Sequence, residues 1–282
     1  MKAGFWVAPE GDDATMTVMP IGAETPLRAR KLNYLATSSA EEMIRRCRQT
    51  AELLPRIADA LAAQKADQPG HLFDITDFAD DDKELITQTL GEGEVAGVAA
   101  LANGVLAQIQ EAVMAGVWRV RFTDANGALL ADYVEVASIP AAVRQACAVL
   151  PPQIIHGPAP AGAMNVMPVL HEIGDRIGRY KEGDEPHIIT FSLFPMSPED
   201  MTFLQQTLGA GPVQLTSRGY GTCRVVATGA RHVWSVQFYN AMDTIILDTL
   251  EISDIPSVAL AAEEDFRDSE MRLREIEEAY FK

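Results

Sequence analysis

A tandem repeat constrains the fold of this chain more than any other feature of its sequence. The two copies lie 116 residues apart, except around Gly91 and Gly209, where the offset is 118. The matched positions span helix-like, loop-like and strand-like stretches and include these pairs: Leu54/Leu170, Ile57/Ile173, His71/His187, Trp118/Trp234, Asp132/Asp248 and Glu135/Glu251. A repeat of this length predicts two structural copies of one module.

Each copy has the same order of predicted elements. Apolar residues spaced three and four apart predict amphipathic helices over 54–64 and 167–180. The stretches 71–78 and 187–194 are rich in β-branched and aromatic residues and predict strands. A second helix follows and ends at the paired glycines, where positive φ is favourable, and three strands complete the module. The sequence therefore predicts an α+β fold in which a helix-strand-helix-strand-strand-strand module with mainly antiparallel sheets occurs twice.

The repeat also sets the predicted domain boundaries. A capping box formed by Ser39 and Glu42 predicts an N-terminal helix, and the last twenty residues predict a C-terminal one. The predicted regions are an N-terminal segment with its helix (1–53), the first module (54–150), a linker rich in proline and glycine (151–163), and the second module with the C-terminal helix (164–282).

Charge and cysteine content restrict the partners and the compartment. The net charge of −17 repels phosphate backbones and anionic lipids, and no basic patch offsets it, so we expect no nucleic-acid binding. No stretch approaches the roughly 18 apolar residues of a membrane span, so we expect no membrane insertion. The three cysteines, Cys47, Cys147 and Cys223, lie far apart and form no disulfide framework, which predicts a reducing cytoplasm.

Candidate catalytic residues also have structural interpretations. His71 and His187 are equivalent and could form a symmetric metal site, but a structural role at a strand entrance is the favoured interpretation. Paired carboxylates could perform acid–base chemistry or form the solvated face of a strand: Asp132, Glu135, Asp248 and Glu251. Since no known catalytic motif is present, we expect the chain not to be an enzyme.

The two copies differ most in the stretch 214–224, where a function performed once would break the symmetry. The predicted binding residues are Arg218, Gly219, Tyr220, Gly221, Cys223 and Arg224, together with His187. Neighbouring guanidinium groups lower a thiol pKa, and a thiolate binds soft metals, so Cys223 is the candidate metal ligand. The alternative interpretation of Cys223 is a small buried hydrophobic residue.

Several strings resemble the HupH/HyaF/HoxV family of hydrogenase expression and formation proteins. They include FWVAPEG at 5–11, LTSRGYGTCRV at 215–225, WSVQF at 234–238, ILDTLE at 246–251 and EEAYF at 277–281. The resemblance therefore extends over nearly the whole chain. It implies an accessory protein for maturation of an uptake nickel-iron hydrogenase.

The resemblance further implies partners and a cargo. The expected partners are the hydrogenase large or small subunit and other maturation accessory proteins. One hypothesis is a scaffold or chaperone that also holds an iron-cyanide-carbonyl precursor, with Cys223 as soft ligand and with Arg218 and Arg224 neutralising cyanide charge or a client carboxylate. The alternative is a metal-free interaction module that holds an immature iron-sulfur small subunit.

Overall fold

The computed structural model describes residues 46–191, 195–219 and 221–280. Within them the chain forms six α-helices and ten strands, which confirms the α+β class. In chain order the elements are α1 (Arg48–Ala63), β1 (His71–Asp74), α2 (Asp80–Leu90), β2 (Val95–Ala100), β3 (Leu106–Glu111), β4 (Val117–Thr123), β5 (Leu129–Val136), α3 (Ala141–Ala148), α4 (Val166–Arg179), β6 (His187–Thr190), α5 (Pro198–Leu208), β7 (Ala210–Ser217), β8 (Thr222–Thr228), β9 (Val233–Tyr239), β10 (Ile245–Ile252) and α6 (Glu263–Tyr280). The capping box predicted at Ser39 lies outside the described residues.

Both copies of the sequence repeat contain a helix, a strand, a helix and four strands in the same order. The prediction of three strands after the second helix was wrong. Between β2 and β3 the chain reverses at Asn103 and Gly104, whose φ angles are 60° and 74°, and between β7 and β8 it reverses at Gly221, whose φ is 109°. The sequence pattern did not indicate these reversals, so it predicted one strand fewer in each copy. A duplication as the origin of the two copies stays a prediction.

One compact unit combines residues 46–96, 103–141 and 261–280. Its strands are ordered β1-β5-β4-β3, and each neighbouring pair is antiparallel. The core joins apolar residues of α1, α2 and α6 to one face of this sheet, including Ile57, Ile86 and Phe266. The guanidinium of Arg274 in α6 lies 2.6 Å from the carboxylate of Asp59 in α1. The C-terminal helix therefore belongs to this unit. The predicted domain boundary placed this helix in the region 164–282, and that boundary stays a prediction.

The second compact unit combines residues 97–102 with the described part of 142–260. Its strands follow the order β2-β7-β8-β9-β10-β6, to which β2 contributes its residues from Gly97 onward. The core joins α4 and α5 to one sheet face through residues such as Leu170, Leu204 and Leu250. The predicted linker, 151–163, contains no helix or strand, but Ile154 packs against this core.

Paired glycines have two separate roles where α2 and α5 end. Gly91 and Gly209 have φ angles of 61° and 66°, so the predicted positive φ at both helix ends is confirmed. Two residues later the backbone runs close to a facing strand. A Cβ at Gly93 would lie 2.1 Å from a facing carbonyl oxygen, and one at Gly211 would lie 2.3 Å from the equivalent oxygen. The GxG strings therefore serve helix termination and strand packing.

Candidate functional site

Cys223 lies near the start of β8 and is 3% exposed. Burial raises the pKa of its thiol to about 12, and the charge of Glu251 adds to the increase. This is opposite to the direction predicted from the adjacent arginine. Successive side chains of a strand point to opposite faces, so the guanidinium of Arg224 cannot stabilise the thiolate of its neighbour. In the folded chain the thiol is protonated and shielded.

Arg224 lies on the other face of β8, where it contacts an aromatic residue. Its guanidinium carbon is 5.8 Å from the centre of the Tyr239 ring. The Tyr239 hydroxyl donates a hydrogen bond of 2.8 Å to Gln237, which pairs with Arg224 across the sheet. A cation above an aromatic face is held in place, so Arg224 is oriented at this end of the sheet.

Two chain reversals lie side by side at this end of the second unit. Thr222, which begins β8, pairs with Tyr239, which ends β9, so the 218–221 loop and the 240–244 turn are neighbours. We name the exposed surface here the hairpin-end patch and define it by Arg218, Gly219, Gly221, Arg224, Met242 and Ile246. Met242 is 84% exposed and Ile246 is 64% exposed. Tyr220, which the sequence placed in the same site, lies outside the described residues.

The structure does not bring His187 to the other predicted site residues. His187 is in β6 and pairs with Ile252 of β10. Cys223 is in β8 and lies in the same cross-strand row as Phe238 of β9 and Leu247 of β10. The two rows are roughly 17 Å apart along the strands. The imidazole Nε2 of His187 lies 2.7 Å from the carboxylate of Glu172 in α4, which gives it a structural partner.

Three of the four paired carboxylates are buried, so their interpretation as the solvated face of a strand was wrong, whereas Asp248 is half-buried. Asp132 and Glu135 are 2% exposed, and Glu251 is 8% exposed. Asp132 accepts two hydrogen bonds from the guanidinium of Arg119, at 3.0 and 2.7 Å. Burial raises the pKa of Glu135 to about 7, against the lowering effect of a hydrogen bond from the Ala141 amide. Among the residues that the structure describes, no group of three or more histidine, cysteine or acidic side chains could hold a metal ion.

Sequence reasoning missed a buried aspartate that occurs in both copies. Asp200 is the third residue of α5. Its Oδ1 accepts hydrogen bonds from the amide of Val166, the first residue of α4, and from the amides of Met164 and Asn165 just before it, at 2.8 to 3.0 Å. Asp82 is the third residue of α2, and its Oδ1 accepts from the Thr50 amide in α1 at 2.7 Å. The offset of 118 that pairs Gly91 with Gly209 also pairs these aspartates, which was the available signal.

Comparison with known proteins decides the family. The model for the C-terminal conserved region of the HupH hydrogenase expression protein matches residues 48–148 and 163–280. The chain belongs to the HupH hydrogenase expression protein family. This confirms the resemblance drawn from the sequence strings, and the two matched stretches correspond to the two copies of the repeat.

Individual members of the HupH family match over most or all of the chain. The hydrogenase expression/formation protein HupH of Rhizobium leguminosarum bv. viciae is 84% identical over 282 residues, which is 100% of both chains. The hydrogenase-1 operon protein HyaF of Escherichia coli K12 is 35% identical over 231 residues, covering 81% of this chain and 76% of that protein. The solved structure of the hydrogenase expression protein HupH from Thiobacillus denitrificans ATCC 25259 covers 41% of this chain and 97% of its own, at 24% identity and a TM-score of 0.38.

Within the described ranges, no helix combines the length and the apolar character that a membrane crossing requires.

Proposed function

We propose that this protein is a non-catalytic accessory protein of hydrogenase maturation that binds an immature hydrogenase subunit through the hairpin-end patch. The carrying observation is the 84% identity, over the full length, to a protein named for hydrogenase expression and formation. The HyaF relative is likewise named for a hydrogenase operon. These names support the role in maturation, and the patch is our assignment of the surface.

The composition of the hairpin-end patch supports protein docking. Methionine and arginine are enriched at protein interfaces, and large apolar side chains in their centre contribute most of the affinity. Met242 and Ile246 supply exposed apolar surface, and Arg218 and Arg224 supply charge for a client carboxylate. In the first copy the position of Arg224 is Gln108, and the corresponding loop, 101–105, contains no arginine or lysine, so the cationic part of the patch is specific to the second copy.

The buried thiol favours the metal-free form of this proposal. A soft metal requires a thiolate, whereas burial raises the pKa of Cys223 to about 12. A second candidate function is to carry an iron-cyanide-carbonyl precursor. The exposed guanidinium of Arg218 favours this function because a guanidinium can neutralise the charge of cyanide. In that case β8 must open before Cys223 binds iron. The test is to record infrared bands of cyanide and carbonyl in anaerobically copurified protein. The absence of these bands would rule out the carrier function.

A capture experiment with a matched control tests the docking surface. Tagged large and small hydrogenase subunits are expressed with this chain, and the amount retained on each subunit is measured. We expect Met242→Asp and Ile246→Asp to lower capture by one subunit at least about tenfold, because a charge replaces buried apolar contact. The control is Leu130→Asp, at the position equivalent to Ile246 in the first copy and 51% exposed. Equal capture by all three variants would assign docking to another surface, and no capture by wild type would contradict subunit binding.

A further inference from the structure

The start of the predicted linker is bound to the turn between β8 and β9, and Ile154 packs on α4. The backbone amide of Arg231 donates to the carbonyl of Pro151 at 2.9 Å, and its side-chain Nε donates to the carbonyl of Leu150 at 3.0 Å. Ile154 lies on the surface of α4 at Gly174, where an added Cβ would be 3.8 Å from the isoleucine side chain. These contacts fix the path of the chain just before His156.

The fixed path brings two histidines together. The ring of His156 lies 5.7 Å from the ring of His171 in α4, measured between centres, and the two planes are inclined by 71°. His156 is half-buried and His171 is exposed, so the pair is accessible to small solutes. Neither histidine is part of the hairpin-end patch or of the His187–Glu172 pair.

Backbone hydrogen bonds set the tautomer of both rings. The Nδ1 of His171 lies 2.7 Å from the carbonyl oxygen of Met167, and the Nδ1 of His156 lies 3.1 Å from the carbonyl oxygen of Gly157. A carbonyl oxygen can only accept, so each Nδ1 carries the proton and donates it. Each Nε2 then keeps its lone pair, and the described residues supply no partner to either.

Both rings share one feature with metal-ligating histidines. Such a histidine binds the metal through one ring nitrogen and donates its other N–H to a carboxylate or backbone carbonyl, which orients the ring. A metal ion about 2.0–2.1 Å from each Nε2 lies roughly 3 Å from each ring centre, so two rings on one tetrahedral ion are roughly 5 Å apart. The observed separation of 5.7 Å is close to this value, and binding requires both Nε2 atoms to turn toward the same ion.

We propose that His156 and His171 bind one divalent transition-metal ion of the imidazole-preferring class, such as Zn²⁺, through their two Nε2 atoms. Water completes the coordination, since the described residues contain no group of three ligands. His187 is not a third ligand, because its Nε2 bonds to Glu172. This site is independent of the iron cargo and of the proposed docking surface.

Zinc titration of the untagged full-length protein tests the proposal. Isothermal titration with Zn²⁺ alone should show one site per chain, and Mg²⁺, which prefers oxygen ligands, should not bind there. His156→Phe and His171→Phe keep an aromatic ring but remove Nε2, and each should weaken Zn²⁺ binding by more than about tenfold. His71→Phe is the control, since His71 is exposed on β1 in the other unit. Binding that survives in either phenylalanine variant, or that falls equally in His71→Phe, would overturn the site.

A second measurement does not depend on any variant. In wild-type protein with ¹⁵N-labelled histidine, added Zn²⁺ should shift the Nε2 resonances of two rings, assigned to His156 and His171, and leave the other three unchanged. If the two rings pack together only as aromatic groups, Zn²⁺ leaves all five histidines unchanged and the proposal is refuted.

Discussion

Asp200 is the residue whose removal should most clearly test how the second unit is stabilised. It is fully buried. Its Oδ2 accepts a 2.9 Å hydrogen bond from the Ser197 amide, and its Oδ1 accepts from three amides at and just before the start of α4. Ser197 in turn accepts from the Asp200 amide and completes a capping box at the start of α5. One carboxylate therefore caps two helices and satisfies amides that have no partner within the helices.

The expected cost follows from these contacts. Replacing a helix cap by alanine costs about 1 kcal/mol, and leaving buried amides without an acceptor costs about 1–3 kcal/mol more. With two helices capped, we expect Asp200→Ala to lower the free energy of unfolding by about 3–5 kcal/mol. Asp200→Asn keeps one oxygen acceptor and should give an intermediate loss. Asp82→Ala, which removes an acceptor for the amide and hydroxyl of Thr50, should cost less, about 1–2 kcal/mol.

Urea denaturation followed by circular dichroism measures these losses, and its pH dependence gives a second check. Burial acts to raise the pKa of Asp200, but the four amide donors more than offset it, and the pKa lies below its usual value. The stabilisation is therefore complete above the unfolded value of about 3.9 and is lost as the pH falls through the folded pKa. The difference between wild type and Asp200→Ala should shrink over the same range. A loss below about 1 kcal/mol at pH 7 would refute the double-cap argument.

Three further predictions concern Glu135, Gly211 and Cys223. Burial raises the pKa of Glu135 to about 7, so the stability of wild type falls as the pH rises from the unfolded value of about 4.3 to about 7 and levels off above it. Glu135→Gln should remove up to about 3 kcal/mol of this dependence in urea titrations between pH 5 and pH 8, and parallel curves would contradict it. Gly211→Ala places a Cβ 2.3 Å from a carbonyl oxygen and should lower the melting temperature through a loss of about 1–3 kcal/mol in stability. The control is Gly178→Ala in α4, where the added Cβ meets open space and should raise the melting temperature slightly. Similar melting temperatures for the two variants would contradict the close approach at Gly211. The Cys223 thiol should react with iodoacetamide at pH 8 much more slowly in folded than in urea-unfolded protein. Mass spectrometry measures the alkylated fraction of Cys223 over time, and equal rates in the two states would show that the thiol is not shielded.

The parts of the fold that the sequence predicted are those set by local chemistry. The spacing of apolar residues located α1 and α4, and the glycines at positions 91 and 209 located the ends of α2 and α5. The strand count failed because the reversal between β2 and β3 depends on two residues with positive φ, Asn103 and Gly104, inside an otherwise apolar stretch. The aspartate caps were missed because each one joins a helix to residues more than 30 positions away in sequence, which a local pattern does not contain.

The location of the candidate site stays a prediction, whereas the chemistry predicted for Cys223 differs from what the structure shows. The difference between the copies pointed to the 218–221 loop, and the structure places exposed apolar side chains beside it. The grouping of Cys223 with Arg224 ignored strand alternation, which puts adjacent residues on opposite faces. Met242 was not predicted because its proximity to the loop comes from the pairing of β8 with β9, and no local pattern indicates that pairing.

Residues that both copies share have structural roles, whereas the residues proposed for binding occur in the second copy alone. Both tryptophans, Trp118 and Trp234, are buried and donate from the indole nitrogen to a backbone carbonyl, so the shared residue has the same structural task twice. The residues proposed for binding lack such a counterpart. Arg224 has Gln108 at the equivalent position, and His171 has Pro55, which lies inside α1. Since the first unit forms its core without an arginine or a histidine at these positions, their presence in the second unit is not required for folding of the module. A substitution there should therefore change subunit capture or zinc binding while leaving the unfolding transition in place, and a large loss of stability would show that the difference between the copies is structural.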